Sequence, residues 1–378
     1  MIYKTLDDID VKGKRVLLRS DLNSELHNGK AVLSDRIIES AKTINELKRR
    51  GAKVIVVAHQ GRKGEKDFTS LISHSKLLNK YAKIKFVDDV IGKKADEAIN
   101  SLKNGEAILL ENIRKIDDEV NLGRKNKIVD FFKGKIDFYV NDAFSVCHRE
   151  HASVVLLPKL VEERAVGRLV ERELKHLDKI RGKKCLFILG GNKTDNALLL
   201  GGGRKVLTTG AFANLCLMAK GYDLGISNTK FLGDKIKIIK EMKSKLKDVK
   251  TPIDVALKVN GKRMEQLVWD APFKYQILDI GHATVEEYIH RIEKADAIFM
   301  KGTAGLCEDK NFCYATFRLL KAIASAKGHK VLSGGHLSTA LRKFDISKNR
   351  FDYVSLSGGA TVNYIIGKKL VGLEALKK

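Results

Sequence analysis

Short apolar runs rich in β-branched residues alternate along the chain with segments whose apolar positions recur every three or four residues. In the first half the runs are "RVLLRSDLN", "KVIVVAHQG", "IKFVDD", "AILLEN" and "FYVNDAF". Between them lie stretches such as "SDRIIESAKTINELKRRG", where Ser34 or Asp35 predicts the helix N-cap and Gly51 the stop. Near-continuous apolar strands separated by helices predict parallel sheets covered on both faces. The second half repeats the plan with "KCLFILGG", "KVLTTG", "PIDVALKV", "QILDIG", "AIFMKG", "HKVLSGG" and "DYVSLSGG". Only three prolines occur, so no Pro-rich linker marks a boundary. The helical pattern from Leu160 to about Ile180 predicts instead a long helix bridging two lobes. The expected fold class is α/β: two doubly wound, Rossmann-like parallel-sheet domains, joined by that helix and closing about a hinge. The expected spans are 1–158, 159–180 for the connecting helix, and 181–350.

Length and composition leave this picture intact. A chain of 378 residues is long for one core and suits two. Its 44% hydrophobic and 31% charged residues are ordinary for a globular protein. The N-terminal "MIYKTLDDID" carries acids where a signal peptide is apolar, and no run reaches the roughly 20 apolar residues that span a bilayer. The five cysteines are scattered without a C-x-x-C pair, which argues against a disulfide framework or zinc knuckle and for a reducing compartment. A cytoplasmic location without membrane partners is the expectation.

Charge changes the picture more. Lys plus Arg number 71 against 46 Asp plus Glu, a net +25. Nucleic-acid binding is one reading of such an excess. No basic run interleaves with aromatics as a single-strand platform would, and runs such as "KIKIIKEMKSKLKDVK" read as solvated helix faces. Nucleic acid is therefore not an expected partner. A cleft for small polyanions remains.

In doubly wound sheets ligands bind beyond the carboxyl ends of the strands, so the residues that end each run carry the chemistry. First-half runs end in polar and cationic groups: Arg19, Asp21 and Asn23; His59 and Arg62; Asn112 and Arg114; Asn141, Asp142, His148 and Arg149. Second-half runs end in glycines: "GGNK", "TTG", "KGTAG", "SGGH" and "LSGGAT". The densest cluster, "NDAFSVCHREHAS", lacks the H-E-x-x-H order of a zinc protease, so its metal ligands stay unknown. Cys147 there reads as a small buried hydrophobe rather than a nucleophile. Arginines ending several separate strands are best explained by convergence on one anion, which guanidinium forks grip bidentately. Asp142 is expected to orient the neighbours in that cradle. The glycine-ended half suits a nucleotide: "FILGGNKTD" offers backbone N–H groups and Lys193 to a phosphate, although neither a Walker A loop nor G-x-G-x-x-G occurs. An anion on one lobe and a nucleotide on the other imply phosphoryl transfer.

With these motifs the chain resembles the phosphoglycerate kinase family along essentially its whole length. "RSDLN" is similar to the family's R-x-D-x-N, "AHQGR" to S-H-L-G-R, "LLENIR" to L-E-N-x-R and "NDAFSVCHREHAS" to N-D-A-F-x-x-x-H-R-x-H-x-S. "GGNK" is similar to G-G-A-K, "KGTAGLCE" to N-G-P-x-G-x-F-E and "SLSGGAT" to S-T-G-G-G-A. The short loops and "SGGH" resemble the archaeal branch, from which the chain diverges. The resemblance implies reversible phosphoryl transfer between 1,3-bisphosphoglycerate and ADP, giving 3-phosphoglycerate and ATP, with Mg²⁺ accompanying the nucleotide. It assigns Asp21, Asn23, Arg36, His59, Arg62, Arg114 and Arg149 to the phosphoglycerate, with Arg36 facing the migrating phosphoryl. It assigns Lys193, Glu308, Gly334, Gly335 and His336 to the nucleotide, and Gly358 and Gly359 with Lys193 to the transfer itself. The residues 1–158 become the phosphoglycerate domain, 181–350 the nucleotide domain, and 351–378 a C-terminal segment returning to the first. A monomer or homodimer is implied.

The chain departs from the family pattern in several places. Asn192 replaces an alanine, Lys301 an asparagine, Thr303 a proline, Leu356 a threonine and Ser357 the first of three glycines. Ala197 stands where many bacterial members carry a second lysine, and His336 where bacterial and eukaryotic members place a metal-binding aspartate. These departures keep open a weakened, kinase-like binder of nucleotide or phosphoglycerate. A basic nucleic-acid-binding protein on the same scaffold is the third reading.

Overall fold

The apolar runs of the first half form one parallel sheet in the structure, a computed structural model that describes residues 3–181 and 184–377. Its strands are β1 Arg15–Ser20, β4 Lys53–Val57, β5 Lys85–Val87, β6 Ala107–Leu110, β7 Phe138–Asp142 and β8 Glu163–Val166, with a two-stranded hairpin, β2 Leu26–His27 and β3 Lys30–Ala31, set aside from it. The spatial order β5-β6-β4-β1-β7-β8 puts β1 in the middle, with Leu18 level with Val56 on one side and Val140 on the other. Both faces are covered, which is why Val54, Ile55, Val56 and Val57 are all fully buried. The helix Asp35–Arg49 begins after N-cap Ser34 and buries Ile37, Ala41, Ile44 and Leu47, one stripe at helical spacing. Gly51 follows at φ +79°, the left-handed stop that glycine accepts without cost.

The second half forms another six-stranded parallel sheet: β9 Cys185–Leu189, β10 Lys205–Thr208, β11 Val249–Lys250, then β15 Ala297–Lys301, β16 His329–Ser333 and β17 Tyr353–Ser355, in the order β11-β10-β9-β15-β16-β17. Two runs expected to be parallel strands, "PIDVALKV" and "QILDIG", instead become β12 Asp254–Val259 and β14 Ile277–Ile280 of a separate antiparallel sheet, in which β12 lies between β14 and a third strand, β13 Lys262–Leu267. The physical cause is the turn between β12 and β13. Asn260 and Gly261 both take positive φ, +48° and +78°, the two-residue hairpin geometry that matches strand twist and forces antiparallel pairing.

The chain comprises two units: residues up to Leu174 with those from Lys368 onward, and Lys175–Gly367. Two expectations about the connections are corrected. The pattern from Leu160 is not one helix: Glu163–Val166 pairs with β7 as an edge strand, and the helix runs from Arg168 to Arg181. Gly167 separates them because a Cβ there would lie 2.4 Å from Asp142 Oδ1. The C-terminal segment also divides, since residues 351–367 stay in the second unit and only those from Lys368 belong to the first. There Gly372 N–H donates to Cys147 O at 2.8 Å, and any side chain at 372 would meet Val154 at 2.6 Å.

Candidate active site

In the first unit the polar residues that end β1, β4, β6 and β7 lie in loops of four neighbouring strands, so the topology gathers them. Asp21 is buried and takes hydrogen bonds from Ser145 Oγ at 2.7 Å and Arg36 Nη1 at 3.2 Å. Arg36 Nη1 also donates to Asn23 O at 3.1 Å, and Asn23 Oδ1 accepts from Gly61 N–H at 2.9 Å. Arg114 is buried, held by its own N–H on Asn112 Oδ1 at 3.2 Å and by Nη1 on Gly61 O. Asn112 in turn donates to Gln60 O and Thr69 O, each at 2.8 Å, pinning the loop that follows β4. These tethers fix a set of cations in space before any ligand arrives.

The members of the set feel one another's charge. Burial pulls the Arg114 guanidinium down to about 10, and the neighbouring charges of Arg149 and Arg19 add to it. Burial likewise lowers Arg149, with Arg62, Arg19 and Arg36 pushing the same way. His59 is buried and held well below its ordinary value, first by desolvation and then by Arg19, Arg114, Arg149 and Arg36, so it is neutral. His151 falls to about 3 from burial and from Arg114, Arg19 and Arg149. Cations that depress one another in a partly buried site form a ready receptor for an anion. Arg62 is the outlying member, 64% exposed and paired with Glu65 at 3.5 Å.

Two sequence readings in this unit are corrected. Arg19, counted among the converging arginines, is wholly buried and spends its donors on protein groups: Ser153 Oγ at 2.8 Å, Ser20 O at 2.7 Å and His59 Nδ1 at 3.1 Å. It underlies the cradle and fixes its floor. Asp142, expected to orient the cradle, points the other way: its Oδ1 accepts from Leu169 N–H at 2.7 Å and Val170 N–H at 3.4 Å, capping the helix Arg168–Arg181. Burial lifts its carboxyl to about 6. Cys147 is buried, its thiol pushed up to about 12 by desolvation, in keeping with a packing role. Sequence reasoning missed Glu119, the buried counter-charge 4.0 Å from Arg19, which accepts from Ser153 N–H at 2.8 Å and Ser153 Oγ–H at 2.6 Å. Nothing in "IDDEVN" separates it from two solvated acids beside it.

In the second unit a cleft of about 460 Å³ opens beside the ends of β9 and β15. Gly191, Asn192, Leu278, Thr303, Glu308 and His336 are among its walls, a mostly apolar surface with a few polar groups. Glu308 and His336 are thus brought together in one cleft. Gly334, at φ +113°, precedes the helix Gly335–Lys343, and a Cβ on either Gly334 or Gly335 would meet nothing within 4 Å. Lys193 sits in the loop after β9 and reaches toward Gly358, whose added Cβ would lie 3.8 Å from Lys193 Nζ. Gly358 precedes the short helix Gly359–Ile365, and the turn before it is knotted by Ser357 O, which accepts from Ser333 Oγ at 2.7 Å and Thr361 Oγ1 at 2.9 Å. Part of the glycine signal has a plainer cause. At Gly302 a Cβ would lie 2.3 Å from Gly190 O, so these glycines let two backbones cross.

The cysteine reading is also corrected. Cys307 and Cys313 form a disulfide, with Cα atoms 4.5 Å apart, enclosing Glu308 in a loop on the cleft wall. Their spacing matches no sequence signature, which is why counting scattered cysteines did not reveal it. Among the described residues no group of three or more His, Cys, Asp or Glu side chains could hold a metal ion. None of the described helices is long and apolar enough to cross a membrane.

Comparison with known proteins gives the chain's family. The family model described as phosphoglycerate kinase matches residues 6–368. A phosphoglycerate kinase of Methanothermus fervidus is 38% identical, covering 100% of this chain and 97% of its own. That of Sulfurisphaera tokodaii is 37% identical, covering 98% and 95%. The crystal structure of phosphoglycerate kinase from Pyrococcus horikoshii OT3 superposes with a TM-score of 0.90 at 31% identity, over 99% of this chain and 98% of that one.

Proposed function

The chain belongs to the phosphoglycerate kinase family, phosphotransferases with a carboxyl group as acceptor, and on that premise we propose how its residues divide the reaction. The first unit holds 3-phosphoglycerate or 1,3-bisphosphoglycerate through Asp21, Asn23, Arg36, His59, Arg62, Arg114 and Arg149. The second holds ATP or ADP through Lys193, Glu308, Gly334, Gly335 and His336. The observation that carries this reading is the tethering of Arg36 to Asp21 and Asn23 O and of buried Arg114 to Asn112 and Gly61, with Arg149 near enough to lower both Arg114 and His59, which supports a single anion as their common object.

The chemistry follows from charge. In the direction of ATP use, an oxygen of the phosphoglycerate carboxylate attacks the γ-phosphorus; that O–P bond forms as the bond to the β-phosphate oxygen breaks, and ADP leaves. The nucleophile is already ionised, so no proton has to move and no general base is needed. What the protein must supply is alignment and neutralisation of the migrating group. Arg36, oriented by Asp21 and Asn23 O, is the first unit's cation for the migrating group. Lys193, with Gly358 beside it at the start of the helix Gly359–Ile365, is the second unit's cation for the migrating group. Neutral His59 has its Nδ1 turned to Arg19, which leaves Nε2–H to donate to the substrate. Mg²⁺ would enter with the nucleotide's phosphates, as this ion commonly does, and would neutralise part of their charge; among the described residues no group of three or more His, Cys, Asp or Glu side chains offers it a cage. The cytoplasm is the proposed location.

The test is a coupled assay with 3-phosphoglycerate, ATP and Mg²⁺. Wild type turns over, and Arg36→Ala loses about 10²-fold or more in kcat, the scale of removing one transition-state donor. A wild type that binds both ligands without turnover favours the weakened-kinase reading, for which Leu356 and its missing hydroxyl give a specific reason.

A further inference from the structure

Lys301 is a lysine where long-chain ammonium groups seldom sit: at the end of a central strand, 4% exposed. Its Nζ donates to Asp195 Oδ1 and to Asn196 Oδ1, both at 2.7 Å. Asn196, itself fully buried, donates from Nδ2 to Gly190 O at 2.8 Å, and Gly190 N–H donates to Lys301 O at 2.7 Å. The segment Gly190–Asn196 is therefore fastened to one residue at both ends, by backbone at Gly190 and by side chain at Asp195 and Asn196. Lys193 lies in the middle of that closed loop and is exposed.

We propose that Lys301 is a positioning residue for nucleotide binding: it latches the loop that presents Lys193 and neutralises Asp195, so that this carboxylate neither captures Lys193 nor repels the incoming phosphates. The inference rests on the assignment of Lys193 to the nucleotide phosphates given above. Two physical facts favour a latch over a chance ion pair. A buried ammonium is costly unless it is paired and hydrogen-bonded, and here a carboxylate and an amide oxygen from two consecutive residues converge on it. A carboxylate two positions from a phosphate-binding lysine would also oppose a polyanion, and only a cation fixed next to it cancels that field once water is excluded. Burial lowers the Lys301 ammonium while Asp195 raises it, the balance of a paired interior lysine, and Lys193 is close enough to add to the lowering.

The experiment is calorimetric binding of ADP with Mg²⁺, and separately of 3-phosphoglycerate, to the full chain. The variants are Lys193→Ala, Lys301→Met, Lys301→Gln and Lys301→Met with Asp195→Asn. Lys301→Met weakens ADP by about tenfold or more, the scale of breaking a buried charge-assisted contact, and leaves 3-phosphoglycerate within about twofold. Adding Asp195→Asn recovers most of the loss, because the uncompensated carboxylate is gone; a purely structural lysine would show no such recovery. Lys301→Gln keeps length and a donor, gives an intermediate loss, and decides the matter should the methionine variant fail to fold. Equal weakening of both ligands, an unchanged ADP affinity, or no recovery in the double variant would overturn the proposal. If Lys193→Ala itself leaves ADP affinity unchanged, the site assignment falls and the latch falls with it. If Lys193→Ala weakens ADP and the Lys301 variants do not, only the latch falls.

Discussion

At the scale of single residues, the first unit buries histidines that stay neutral. His59, His74 and His151 all lie below the ordinary imidazole value, the latter two at about 4 and about 3, chiefly through burial. The ring signals of His59 should not titrate between pH 8 and 5.5 in an NMR series; a midpoint near 6.5 would contradict the buried, arginine-crowded environment. The same depression has a consequence for stability. An unfolded histidine takes a proton near 6.5 while the folded one does not, so the unfolded state binds more protons below that pH. Stability from these groups is fully present above about 6.5 and is lost as pH falls toward their folded values, at about 1.4 kcal/mol per pH unit per group. Urea unfolding midpoints should therefore drop from pH 7 to pH 5, and His74→Gln should flatten the drop. Leu356 belongs to this scale too. Leu356→Thr restores a hydroxyl donor next to the proposed transfer residues and should raise kcat several-fold in the coupled assay; an unchanged kcat would make the leucine a neutral replacement.

At the scale of elements, what was legible in the sequence was what a period or a cap expresses. β1, β4, β6 and β7 were visible as apolar runs, and the cradle was visible because its residues follow those runs directly. The helix from Asp35 carried its own start and stop. Features fixed by distant contacts were not legible. "VEERAVG" is compatible with either a helix or an edge strand, and pairing with β7 decided it. β13 is polar and largely exposed, so no apolar run announced it, although Asn260-Gly261 was a readable hairpin signal. Arg19 and Asp142 looked like site residues because they end strands; only their buried partners reveal one as a floor and the other as a cap. Glycines offer a direct comparison at this scale. Gly261 and Gly302 share a φ near +78°, at +78° and +79°, but a Cβ at Gly261 meets nothing while one at Gly302 meets Gly190 O at 2.3 Å. Gly261→Ala should cost about 1 kcal/mol from backbone strain alone. Gly302→Ala should cost clearly more and raise KM for ATP, since the displaced segment carries Lys193. Equal losses in thermal melts, with KM for ATP unmoved, would mean the crossing does not shape the site.

At the scale of the whole molecule, the net charge of +25 finds a use without nucleic acid. Both substrates are small polyanions, and a positive field raises their encounter rate in a way salt screens within about 8 Å at physiological ionic strength. kcat/KM for 3-phosphoglycerate should fall several-fold between low and moderate salt while kcat changes little; a flat profile would assign the charge to solvation alone. The central claim is that each unit serves one substrate. The most direct measurement of it is steady-state kinetics of Arg149→Ala, varying each substrate in turn. Loss of one charge-assisted contact to an anion, about 1.5–3 kcal/mol, corresponds to a rise of roughly 10- to 100-fold in KM for 3-phosphoglycerate. KM for ATP should stay within about twofold of wild type. Parallel rises in both constants would contradict the division of labour on which the account rests.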